Sequence, residues 1–138
     1  MKKLAPNQTL APTEPLYNYR DFDQTGQPPG ERKLRMFQAA LRARGTPTLY
    51  TQDGKGDDAT VFVKLFDPCG SATWLLLEWD GQEEAFGFVT GLHNDEYGYI
   101  PLRELAFVAG RLGIGIEIET AFLPTTLGRC RNRKTLAA

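Results

Sequence analysis

Histidine occurs once in this chain of 138 residues and cysteine twice, and that scarcity narrows the chemistry at the outset. Cys69 and Cys130 lack metal-ligand spacing and have no partner histidine motif, so two free thiols in a reducing cytoplasm are expected. The lone His93 is followed by Asn94, Asp95 and Glu96, a local setting in which a general base could be oriented by a carboxylate. No motif pairs a Ser or Cys nucleophile with it, and a solvated loop histidine is the expected reading. Long apolar runs are also missing. Trp74-Leu75-Leu76-Leu77 is far shorter than the roughly 20 residues that cross a bilayer. Met1-Lys2-Lys3 leads into Pro6, Asn7, Gln8 and Pro12 instead of the apolar stretch of a secretory signal, so a cytoplasmic location is expected. Glycines do not precede a helix in the order a phosphate cradle needs: Gly110, Gly113 and Gly115 follow one.

What is present suits one domain with a single sizeable core, at 41% hydrophobic and 11% aromatic residues. The 14 glycines and 9 prolines punctuate segments without forming a repeat. The net charge of −1 conceals an asymmetry. Arg32, Lys33, Arg35, Arg42 and Arg44 oppose only Glu31 over residues 31–44, and Arg129, Arg131, Arg133 and Lys134 stand alone in residues 129–138. Between these basic flanks, residues 45–128 carry thirteen Asp and Glu against Lys55, Lys64, Arg103 and Arg111.

Residues 1–29 hold five of the nine prolines and few aliphatic side chains, the composition of an extended or mobile arm, although Tyr17, Tyr19 and Phe22 could dock on a surface. From Glu31 to about Arg44, Leu34, Phe37, Ala40 and Leu41 recur at helical spacing, and Gly45 and Pro47 supply the stop. Thr48-Leu49-Tyr50 is expected to pack back on the core. The loop Gln52 to Asp58 superficially resembles a calcium loop but lacks its spaced acceptors and closing glutamate, and reads as a solvated turn. Ala59 to Phe66 alternates Val61, Val63 and Leu65 against Phe62, Lys64 and Phe66, as a strand does. Asp67-Pro68-Cys69-Gly70 turns the chain into a strand from Thr73 to Trp79, and Asp80-Gly81 turns it again into Glu84 to Thr90. Strict alternation on the middle strand puts Trp74, Leu76 and Glu78 on one face and Leu75, Leu77 and Trp79 on the other. Tyr97 to Ile100 reads as a short strand, Pro101 as the start of a helix running toward Gly110, and Ile114, Ile116 and Ile118 as a last strand with Glu117 and Glu119 on its acidic face. The expected fold is therefore α+β: a mostly antiparallel meander of four or five strands, one longer N-terminal helix packed on it, and a short helix between the later strands. Residues 30–128 form this domain, with residues 129–138 as a basic tail.

These segments resemble a family of bacterial, phage and plasmid proteins, domain of unknown function 2958. The pieces VFVKLFDP (61–68), TWLLLEWDG (73–81), FGFVTGL (86–92), GYIPLREL (98–105) and GRLGIGIEIE (110–119) come in the family's order, and Thr48-Leu49-Tyr50 falls where it has a Leu-Tyr element. The resemblance covers roughly residues 34–127. Pro101, Arg103 and Ala109-Gly110 depart from the family's usual residues around the second helix. The resemblance implies a fold and a context of mobile genetic elements, beside anti-restriction and conjugation functions, without an activity.

Two sets of candidate residues follow. Glu78 with Asp80, and Glu117 with Glu119, are carboxylates two apart that could hold Mg²⁺ for a metal-dependent hydrolase or nuclease, while acidic groups on a wet sheet face are the ordinary alternative. Arg32, Arg35 and Arg42 on the helix, with Arg129, Arg131 and Arg133 in the tail, could give weak, salt-sensitive nucleic-acid contact. Both sets together form the expected interaction surface of a non-catalytic, macromolecule-binding accessory protein, with a protein partner, no cofactor, and self-association through a sheet edge left open.

Overall fold

The computed structural model describes residues 29–108 and 114–136, with side chains as far as 132. Helix α1 runs from Pro29 to Ala43 and is followed by strands β1 (Thr60–Val61), β2 (Val63–Phe66), β3 (Thr73–Trp79), β4 (Glu84–Thr90) and β5 (Glu96–Pro101). Helix α2 (Leu102–Ala106), strands β6 (Glu117–Ile118) and β7 (Thr125–Thr126), and helix α3 (Leu127–Leu136) complete the chain. Five strands form one antiparallel sheet in the order β5-β4-β3-β2-β6, which is the meander with β6 added at the β2 edge. The arm expected over residues 1–29 lies outside the described residues except for Pro29, which sits in the first turn of α1.

Why α1 ends where it does is visible in its last turn. Gly45 takes φ +72°, its N–H bonds the Arg42 carbonyl, and the Thr46 N–H returns to the Leu41 carbonyl at 3.0 Å. Those two bonds make a Schellman stop, and the side chain of Thr46 adds a bond to the same carbonyl. The helical stripe of Leu34, Phe37, Ala40 and Leu41 is buried against Val63, Leu65, Trp74, Leu76 and Ile118, and α2 adds Leu102 and Ala106. Fully burying a side chain such as Phe37 or Leu41 contributes about 1.5–3 kcal/mol. Arg103 ties this layer together, with two bonds to the Glu83 carboxylate at 3.0 and 2.8 Å and a third bond to Glu31 on α1. It holds the Glu83 carboxyl below the usual carboxylate range, chiefly through those hydrogen bonds.

The opposite face of the sheet has its own cluster, in which Leu75, Leu77 and Phe88 meet Ala59, Val61 and Leu127. Two departures from strict alternation set its membership. The pairing of β3 with β4 shifts register between Leu76 and Glu78, so Leu77 is an extra residue and Trp79 lands on the α1 face with Trp74. The chain also breaks at Phe62 between β1 and β2, and Val61 points away from Val63 and Leu65. A bulge reverses every side chain beyond it, which is how both assignments from simple alternation came to differ from the structure. The basic C-terminal stretch read as a tail is helical. α3 lies on this second face, begun by the short β1–β7 ribbon and by the Leu127 N–H bonding the Ala59 carbonyl at 2.8 Å. Helix α2 ends at Ala106, short of the expected Gly110, and the last sheet strand is only Glu117–Ile118; residues 109–113, including Gly110 and Gly113, lie outside the described residues.

Candidate functional site

The bulge in β3 does more than move Trp79, because it turns Glu78 onto the second face beneath the loop that follows α1. Glu78 is 3% exposed. Its two carboxylate oxygens accept from the backbone N–H groups of Tyr50 at 2.9 Å and Gln52 at 2.6 Å. A buried carboxylate needs such donors to offset its lost hydration. Gln52 is buried beside it and its amide is fully used: it donates to the carbonyls of Thr60 and Leu77, both at 2.9 Å, and accepts from the Thr60 N–H at 2.7 Å. The loop is therefore clamped to the sheet by polar groups.

That clamp sets Tyr50. Its φ is +71°, and it is the one non-glycine with positive φ among the described residues. For a bulky side chain this backbone region is costly, and it persists only where surrounding bonds enforce it. The result is a ring that lies across the sheet, with the Tyr50 and Tyr99 hydroxyls 2.8 Å apart. The hydrogen bond to Tyr50 raises the pKa of Tyr99 above its ordinary value, with desolvation and the nearby charge of Asp53 acting in the same direction.

Tyr99 and Tyr97 alternate on β5, and the β4–β5 register sets them beside Phe86 and Phe88 respectively. Phe86 stacks on Tyr97 with centroids 6.1 Å apart and meets Tyr99 edge-on at 5.3 Å. Phe88 meets Tyr97 edge-on at 5.0 Å, and the Arg131 guanidinium of α3 lies 4.8 Å from the centre of the Phe88 ring. Each ring is held by another, yet Tyr50, Tyr97 and Tyr99 remain 62%, 44% and 50% exposed. Together they form a tyrosine wall. On its α3 side the same sheet face opens into a cleft of about 640 Å³, floored by Leu75, Phe88 and Lys64 and walled by Phe122 and Arg131.

The residues singled out from the sequence are dispersed. Glu78 is the buried clamp just described, whereas Asp80 is exposed and its carboxylate caps the β3–β4 turn by accepting from the N–H groups of Gln82 and Glu84. Glu117 forms an ion pair with the buried Lys33 at 2.9 Å, and Glu119 is half-buried with its N–H on the Lys64 carbonyl. The two carboxylate pairs do not converge, and among the described residues no three His, Cys, Asp or Glu side chains group as a metal ion would require. On α1, Arg32 is buried, Arg35 is exposed and Arg42 lies 5.7 Å over the Trp79 ring. On α3, Arg129 is exposed and Arg131 pairs with Asp57 at 2.9 Å, while the side chain of Arg133 lies outside the described residues. His93 is exposed in the β4–β5 loop, and Cys69 and Cys130, both half-buried, are not in a disulfide. Sequence reasoning missed Tyr50, Gln52, Phe86 and the outward role of Tyr97 and Tyr99. One signal was available: tyrosines two apart on a strand share a face, and Phe86 and Phe88 do so on its neighbour.

No helix among the described residues is long and apolar enough to cross a membrane. No curated protein and no solved structure matches the chain. A family model described as "Protein of unknown function (DUF2958)" matches residues 34–127, more than half of the chain, and that span holds the sheet, the Glu78 clamp and Tyr50, Tyr97 and Tyr99. The chain belongs to the DUF2958 family.

Proposed function

We propose that this protein is a non-catalytic accessory factor that acts by binding another protein through the tyrosine wall. The observation that carries the reading is that Tyr50, Tyr97 and Tyr99 are exposed and yet fixed, by ring contacts and by the Tyr50–Tyr99 hydroxyl bond. Tyrosine offers large contact area at little entropic cost, so ordered exposed tyrosines suit an interface. The left-handed backbone at Tyr50 supports the same reading, since local strain tends to be kept where function needs it. The family context of phages and plasmids suggests that the partner is a host defence component and that binding inhibits it. A metal-dependent hydrolase draws no support from the carboxylates first considered, because the two pairs do not converge, Glu78 accepts backbone N–H bonds on both oxygens, and Asp80 and Glu117 each have one oxygen engaged, by backbone donors and by Lys33.

The test is affinity purification with mass spectrometry from the native host, comparing the native chain with a Tyr50→Ala, Tyr97→Ala, Tyr99→Ala variant of matched fold by circular dichroism. Loss of a specific protein from the variant is expected. Equal recovery by both chains would remove the wall from any account of binding.

A further inference from the structure

The wall ends at an open edge. β5 is the outermost strand of the sheet, paired to β4 along all six of its residues, and no strand among the described residues pairs with its other side. In an antiparallel ladder, alternate residues of an edge strand direct their N–H and C=O groups outward, where a further strand can take them. Proteins usually blunt such an edge with lysine, a bulge or proline; β5 has no lysine and only the terminal Pro101. Gly98, in the middle of β5, carries no side chain, and among the described residues nothing lies within 4 Å of where a Cβ would stand on the sheet face.

Charge decides what kind of chain fits. From Gly81 to Leu102 there is no lysine or arginine, while Glu83, Glu84, Asp95 and Glu96 are present. Glu83 is already engaged by Arg103; Glu84 shares the face of Phe86, Asp95 and Glu96 are exposed at the start of β5, and Asp53 bears on Tyr99 from the loop. An edge with exposed tyrosine faces and a carboxylate rim attracts cations and repels phosphates. The molecule already contains one such contact on this row of rings, where Arg131 lies over Phe88.

We infer that β5 accepts an extended, arginine- or lysine-bearing segment of the partner protein as an added strand, with cationic side chains at alternate positions lying over Tyr97 and Tyr99. This rests on the binding reading above and gives it a partner chemistry. Main-chain bonds to β5 supply affinity in this mode, and the alternate side chains supply selection.

The test uses the full chain and three synthetic probes: an extended peptide with arginine alternating with threonine, its glutamate counterpart, and the arginine peptide N-methylated at every second residue. Binding is followed by amide chemical shifts and by titration calorimetry. The arginine peptide is expected to bind in a salt-sensitive manner and to shift the β5 amides, and the other two probes are expected to fail. Changing Tyr97→Ala with Tyr99→Ala should weaken it about tenfold, and the corresponding Phe variants should retain it. The inference is overturned if the glutamate or N-methylated peptide binds equally well. It is overturned too if the outward-facing β5 amides, those not bonded to β4, are already protected from hydrogen exchange in the free chain, or shift with protein concentration alone, because a segment of the chain itself or a second copy would then hold the edge. If the arginine peptide fails while the tyrosine variants still lose the host partner, strand addition is wrong and the wall reading survives. If those variants keep the partner, both are wrong.

Discussion

The two faces of the sheet come from the same strands and have been put to different uses. Beneath α1 and α2 the face is closed, a continuous cluster from Leu34 and Phe37 through Leu65, Leu76 and Trp79 to Leu102. On the other face α3 covers only part, through Leu127 and the half-buried Cys130, and the remainder is a row of exposed tyrosines held by a buried carboxylate and amide. Apolar packing is non-directional and tolerates adjustment, whereas the Glu78 and Gln52 bonds specify one loop position. The closed face therefore carries most of the stability and the open face carries a defined shape.

That contrast is broken most directly by Phe37→Ala, which should cost about 3–5 kcal/mol in denaturant unfolding because the ring is fully buried. The tyrosines should retain their ring contacts in whatever fraction stays folded. If Phe37→Ala cost under about 1 kcal/mol, the closed face would not be the main source of stability.

Next in size is Glu78→Ala, which strips the acceptors from two backbone N–H groups and should cost about 1–3 kcal/mol, more if both stay buried. Its sharper effect is on shape: amide exchange at Tyr50 and Gln52 should accelerate and the Tyr50–Tyr99 contact should disappear from nuclear Overhauser spectra. Unchanged exchange there would show that the loop is held by something other than Glu78.

The architecture was legible from sequence to the extent that its causes are local. The α1 stripe, the Asp80-Gly81 turn and the alternation in β2 and β4 each act within a few residues, and the meander and covering helix follow from them. α3 was not legible because, among the described residues, its contact with the second cluster rests on Leu127 and the half-buried Cys130, too few apolar positions to print a period. The faces of Trp79 and Val61 depend on a bulge and a strand break, each a one-residue slip that leaves no compositional mark. The site depends on still longer reach: Glu78 meets Tyr50 across 28 positions, and Tyr50 meets Tyr99 across 49. A glutamate in a strand reads as a wet residue until the loop that covers it is in place.

Smaller in energy, and more pointed, is Tyr50→Gly. A left-handed backbone costs a non-glycine residue about 1–2 kcal/mol, and glycine adopts it freely, so removing the ring relieves strain while losing one exposed hydroxyl bond. Stability should hold or rise by up to about 1 kcal/mol while partner recovery falls. A protein that gains stability and loses its partner would show strain at Tyr50 to be kept for binding; a clear loss of stability would make Tyr50 an ordinary structural residue.

The smallest effect lies in the titration of Tyr99. Its pKa in the folded chain is raised, first by the bond to the Tyr50 hydroxyl, so the neutral form is favoured by folding. A raised folded value means that this contribution is fully present below the unfolded tyrosine value, near 10, and is lost as pH rises through the folded value. Ultraviolet difference titration should find a tyrosine ionising above the ordinary value, and Tyr50→Phe should return it toward that value while the ring at position 50 still covers the sheet. If Tyr50→Phe leaves that tyrosine raised, the hydroxyl bond does not organise the wall, and the rings of Phe86 and Phe88 must be holding Tyr97 and Tyr99 by themselves.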